Sequence, residues 1–162
     1  MREQLVAYFA AEKNGAVILV VVGIIALATA IALMATKSNY RGMALPLVLL
    51  AIIELVIGGV LLARTDGQVA ALLDQLAPAP ADMVRAELAR MAPVMRNFQI
   101  VKIIELVVLA GGIILIFAAR DSDFAFAAGI GCIAQAGVLL IFDSFAERRA
   151  AHYVEMLRAA AT

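Results

Sequence analysis

The sequence is poor in most of the side chains that catalysis and metal binding draw on. A single cysteine, Cys132, stands among 162 residues, which excludes an intrachain disulfide and a cysteine-rich metal framework. A single histidine, His152, leaves no paired-imidazole haem site and no histidine-rich metal site. There is no Gly-x-Ser-x-Gly elbow, no Gly-x-x-x-x-Gly-Lys-Ser/Thr phosphate loop and no Cys-x-x-Cys pair. Charge is scarce as well: 16% of residues are charged, against about 25% in an ordinary soluble domain. Thirteen Lys and Arg balance thirteen Asp and Glu, so no net charge advertises nucleic acid or another polyanion as a partner. The chain reads as no enzyme, with no cofactor.

Apolar residues take the place of what is missing. They make up 65% of the chain, with a mean hydropathy of +1.00, against about 45–50% apolar in soluble domains. A core of this size cannot hide that excess, because a ~150-residue domain still leaves roughly a third of its unfolded-chain surface in water. The excess sits in four runs, residues 15–36, 42–63, 98–119 and 124–142. Each is close to the ~20 residues that cross a ~30 Å hydrocarbon core at 1.5 Å per residue. The links at 37–41 and 120–123 are short enough to allow only antiparallel neighbours. The expected fold is therefore an all-α membrane protein, one integral domain over residues 1–162. Its four transmembrane helices form two antiparallel hairpins joined by the longer connection 64–97, followed by a C-terminal helix at 143–162.

The first run exceeds the ~7–15 residues of a signal-peptide core. Glu3 and Glu12 also stand where a basic leader would begin, so the run is expected to stay as a span. Arg2, Lys13, Arg64, Arg85, Arg90, Arg96, Arg148, Arg149 and Arg158 lie on one side of the spans, and only Lys37, Arg41 and Arg120 on the other. Under the positive-inside rule this places both termini and the 64–97 connection in the cytoplasm of a bacterial inner membrane. Tyr40, Phe117, Phe124 and Phe126 mark one boundary, and Phe98, Phe142 and Phe145 the other.

The polar remainder reads as amphipathic helix. Thr65 to Gln68 has the form of a capping box, followed by Val69, Leu72, Leu73 and Leu76 at helical spacing. Pro78 and Pro80 stop that helix, and Asp82 is the expected N-cap of another with Val84, Leu88, Met91 and Met95 on one face. Pro93 is expected to kink or restart it. Phe142, Ala146, Arg149, Tyr153 and Leu157 continue the pattern as an extension of the fourth span. These stripes pack on one another or lie at the lipid surface, or else form a docking face for a cytoplasmic partner.

Two segments repeat. Ile52-Ile-Glu-Leu-Val56 matches Ile103-Ile-Glu-Leu-Val107, and each precedes a glycine pair, Gly58-Gly59 and Gly111-Gly112. Counted from the basic residues at Arg64 and Arg96, Glu54 and Glu105 lie at one depth, about 14–15 Å in at 1.5 Å per residue. A carboxylate there costs about 2.5–3.5 kcal/mol on insertion scales, so it should face the bundle interior with a partner. Lys102, three residues before Glu105, is the expected partner on the same helical face. Glu54, Lys102, Glu105 and Gln135 are thus expected to form one buried polar cluster, with Asp143 closing the inner end of the fourth span. One lysine cannot neutralise two carboxylates, so one is protonated or a cation is bound. The cluster is either polar glue between helices or a proton or cation site.

Small residues suggest where helices meet. Ala128, Cys132 and Ala136 recur at four residues, with Gly129 and Gly131 beside them, a face that lets backbones approach closely in lipid. The bilayer is one partner, and the surplus of such surface suits a homodimer or another membrane protein. No family is assigned. Small multidrug transporters carry their key Glu in the first span, which is uncharged here, and the Gly/Arg motif of fluoride channels is missing. The expected function is that of an accessory, scaffold or immunity-type membrane partner, with a proton- or cation-coupled transporter using Glu54 and Glu105 as the alternative.

Overall fold

An apolar run cut off from water must satisfy its backbone hydrogen bonds within itself, and the α-helix does so. A computed structural model describes residues 1–36, 38–76 and 79–161, and all the long elements among them are helical. Lys37, counted above for orientation, and Pro78, read above as a helix stop, lie outside the described residues. The helices are α1 (Arg2–Ala35), α2 (Ala44–Leu76), α3 (Pro80–Ala118) and α4 (Asp123–Ala161), with a 3-10 turn at Arg41–Met43 leading into α2. All four are long and apolar enough to cross a membrane, which is compatible with a multi-pass membrane protein.

Length organises the molecule. At 33 to 39 residues, each helix runs to about 50–58 Å at 1.5 Å per residue, well beyond a ~30 Å apolar layer. The surplus lies at the end that holds both termini, in residues 2–14, 64–76, 80–97 and 143–161. There the four helices share a core of large side chains. Leu5 and Phe9 of α1 and Leu72 of α2 meet Met83, Val84 and Met91 of α3, and Tyr153, Val154 and Leu157 of α4. The amphipathic stripes therefore pack on one another.

Several local expectations change at this point. Thr65 does not begin a helix: α2 runs through it unbroken, and its buried hydroxyl donates back to the Leu61 carbonyl at 2.5 Å. Such back-bonding satisfies the hydroxyl inside a helix and removes the need for a cap. Asp82 is not an N-cap, because Pro80 occupies the first turn and Ala79 the cap position; Asp82 instead lies in that first turn, where a negative charge suits the helix dipole. α3 also continues through Pro93 as one helix. The C-terminal stripe does extend the fourth apolar run within one helix, α4.

Within the apolar runs the packing is of another kind. α1 lies chiefly on α2 and α3 on α4, while α4 also meets α2 and the 3-10 turn. The cluster there is built on Ala26, Ala30, Ala44 and Ala51 with Leu47. Glycines sit where backbones touch. A Cβ on Gly112 would lie 2.8 Å from the Gly129 carbonyl, and one on Gly129 would lie 2.7 Å from the Gly112 carbonyl. Such approach gains van der Waals contact between the helix backbones.

The tightest approach is at Gly42, whose Cβ would fall 1.9 Å from the Phe124 carbonyl oxygen and 2.8 Å from its carbon. Backbone cannot swing aside as a side chain can. Gly42→Ala is expected to lower stability by about 1–3 kcal/mol, the usual cost of overpacking. Gly59→Ala, with nothing within 4 Å of the added carbon, is expected to be neutral or slightly stabilising through helix propensity. Thermal unfolding of the two variants in detergent checks this, and equal behaviour would contradict it.

Candidate functional site: polar side chains between the helices

A polar side chain inside an apolar layer must find its partner on a neighbouring helix. Glu54 does so: it is 1% exposed, and the Gln135 amide of α4 donates to its Oε1. Room for it comes from α1, where Gly23 leaves space and a Cβ would meet the Glu54 Cβ at 3.2 Å. The span without charge thus contributes an absence of side chain. Glu54 Oε2 is buried with no hydrogen-bond partner.

The other two members of the expected cluster pair elsewhere. Lys102 reaches across to α4 and forms an ion pair with Glu147 rather than with Glu105. Glu147 faces Lys102 from the packed neighbour α4. Glu105 is 5% exposed and lies near Asp143, again on α4, close enough for the two carboxyl groups to act on each other. Both of its carboxyl oxygens are buried without a donor. The Lys102 ammonium acts on both carboxyl groups, and a proton shared between them would add to their cohesion.

Glu54 and Glu105 therefore do not face each other. They engage α4 at positions eight residues apart, Gln135 and Asp143, or about 12 Å along that helix. The repeat around them is nonetheless reflected in packing. Gly58 presses on Ala16 and Val20 of α1, Gly112 presses on Gly129 and Cys132 of α4, and Gly59 and Gly111 stand in open space. Gly131 abuts Met43 and Pro46, and Ala136 is buried. Gly129, Gly131, Cys132 and Ala136 are thus occupied by contacts within the chain. Among the described residues, no group of three or more His, Cys, Asp or Glu is placed to hold a metal ion.

A second polar network lies in the large-side-chain core and was not anticipated. Glu87 is 2% exposed. Arg90 clasps it bidentately, Nε donating to Oε2 at 2.8 Å and Nη2 to Oε1 at 2.7 Å, and the Tyr153 hydroxyl donates to Oε1 at 3.0 Å. Tyr8 stacks on Tyr153 with ring centroids 4.0 Å apart, and the Arg90 guanidinium lies 5.8 Å from the Phe9 ring centroid. Burial pushes the Tyr8 phenol well above its ordinary range, with Glu12 adding to the effect. Burial likewise pushes the Glu12 carboxyl up, with Arg64, 3.8 Å away, opposing. One signal for this network was present in the sequence: Glu87 lies on the helical stripe of Val84 and Met91, an acid set among residues expected to be buried.

The fold and these pairings define a four-helix protein whose polar side chains join one helix to another. The chain matches no known protein-family model, no curated protein and no solved structure.

The Lys102–Glu147 pair is open to a double-mutant cycle. Its side chains are 35% and 23% exposed, so solvent screening limits the coupling to about 0.5–1.5 kcal/mol. Lys102→Met and Glu147→Gln should each lower the melting temperature, and the double variant should lose less than the sum. Lys102→Met combined with Glu105→Gln should show the smaller coupling. Additive losses for Lys102 and Glu147 would contradict the assignment.

Proposed function

We propose that the chain is a non-enzymatic, multi-pass protein of the bacterial inner membrane that acts through helix–helix contacts as an accessory, scaffold or immunity-type partner. Its helices are two antiparallel hairpins with both termini and the 64–97 connection cytoplasmic. Reciprocal contacts support the hairpins: Gly58 meets Ala16 and Val20, while Gly23 meets Ala51 and Leu55, so later positions on one helix face earlier ones on the other. The excess of basic residues at the termini end supports the orientation.

The observation that carries the functional reading is the uncovered side of α3. Only 11% of its most apolar stretch is buried, against 33% for α4. Ile103, Val107, Ile114 and Phe117 are each more than 60% exposed. A span held mainly by one neighbour leaves the rest of its circumference for the helix of a partner. A second reading, a proton- or cation-coupled transporter, is favoured by one feature, the contact of donor-free Glu105 with Asp143. Glu54, engaged by Gln135 farther along α4, would form a separate station on any such route.

A photo-crosslinking residue in place of Val107 distinguishes the two. In native membranes it is expected to give a discrete protein adduct, while the same residue in place of Ile25 on α1 should give lipid adducts. Lipid adducts alone at Val107 would overturn the contact reading. Cation or proton flux in vesicles that Glu105→Gln abolishes would establish the transporter.

A further inference from the structure

Where α1 and α4 leave the apolar runs they touch through the stacked rings of Tyr8 and Tyr153 without closing along their whole length. A groove of about 250 Å³ lies between them, with Ala7 and Ala11 on one wall and His152 and Met156 on the other. The alanines keep it open, and the stacked rings of Tyr8 and Tyr153 form part of its lining. Arg149 stands at its inner end.

Arg149 is held at a defined level. Side chains on a helix tilt toward its N-terminus, so this one reaches back along α4 toward the apolar run. Its guanidinium rests over Gly15, the first residue of the first apolar run: a Cβ there would be 3.1 Å from Nη2 and 3.4 Å from the Phe142 ring. Phe142 is the last residue of the fourth run. The cation therefore sits at the boundary between apolar and polar zones, where the phosphates of a bilayer lie.

Among the described residues its charge is matched by no ion pair. Arg64, Arg90 and Arg149 act on Glu12, and Glu87 is the other acid beside them. Arg90 takes Glu87 and Arg64 lies nearest Glu12. Among the described residues, no carboxylate oxygen lies within 4.0 Å of Arg149. Arg149 is left without an ion-pair partner among the described residues, and its side chain lines the groove. His152 and Gln4 add polar atoms farther out. Tyr8, whose phenol burial keeps protonated, adds a neutral hydroxyl.

We infer that this groove binds the phosphodiester of an anionic phospholipid, with Arg149 on the phosphate and Gln4 and His152 on the hydroxyls of the headgroup. Anionic headgroups collect basic side chains at this depth, and about 250 Å³ leaves room for a headgroup of glycerol size. The acyl chains would descend along the exposed apolar surface of α1, where Val17, Ile18 and Val21 are uncovered. The inference rests on the chain spanning a membrane.

The full chain, purified in mild detergent with phosphatidylglycerol or phosphatidylcholine, is examined by native mass spectrometry. The wild type should retain phosphatidylglycerol preferentially, and Arg149→Gln should reduce that preference roughly fivefold or more. Ala7→Leu fills the groove without touching charge and should act in the same direction, which keeps the test open if Arg149→Gln misfolds. Arg158→Gln, an exposed cation at the far end of α4, should leave retention unchanged. Equal retention of the two lipids, or an equal loss in Arg158→Gln, would overturn the inference. Displacement by millimolar glycerol 3-phosphate would overturn it in favour of a soluble phosphate ester. Release of the protein from carbonate-washed membranes would instead defeat the spanning reading on which the inference depends.

Discussion

Helices longer than the apolar layer they can cross must obey two kinds of physics along one axis. Outside such a layer, burying apolar surface from water is worth about 25 cal/mol per Å², and large side chains hold helices together. Inside it that force is missing, since lipid tails are as apolar as leucine. The composition of the helices changes along their length in a way compatible with such a layer. Leu5, Phe9, Met83, Met91, Tyr153 and Leu157 form the core at the termini end. Alanines and the Gly112–Gly129 contact serve in the apolar zone. A helix pair with only small-residue contacts is held by shape, so the four-way core outside sets which helices are neighbours.

Polar groups follow the same division. In the apolar zone buried Glu54 meets Gln135 across a helix boundary, and at its edge part-buried Lys102 meets Glu147. At the termini end Glu87 carries a whole network, with a bidentate arginine and a tyrosine hydroxyl. Removing one member of a buried ion pair leaves an uncompensated charge costing about 3–5 kcal/mol. The Glu87 network thus ties α3 to α4 directly, and to α1 through the stacked tyrosines. Glu105 stands apart from both patterns, facing a second carboxyl group with no donor on either oxygen.

Number and placement of the apolar helices were legible in the sequence because 20-residue runs between short links admit few alternatives. Continuity was less so: Thr65 and Asp82 carry cap chemistry, yet tertiary packing carried α2 through one, and Pro80 started α3 ahead of the other. That Glu54 and Glu105 would be buried followed from the cost of exposing a carboxylate to lipid. Their partners did not, because helical spacing ranks neighbours on the same helix and says nothing of a facing one. Lys102 therefore pointed to Glu105 in sequence and to Glu147 in space. Glu87 lies on a stripe expected to be buried, yet helical spacing could not point to Tyr153 on another helix as its partner.

Cohesion resides in the large-side-chain core at the termini end. Unfolding in mixed micelles, followed by the near-ultraviolet dichroism of the Tyr8–Tyr153 stack, tests it with two truncations. Leu157 is fully buried in that core, and Ile114 is 64% exposed in the apolar zone. Leu157→Ala should cost about 2–5 kcal/mol, and Ile114→Ala less than about 1 kcal/mol. Equal costs for the two would contradict the account.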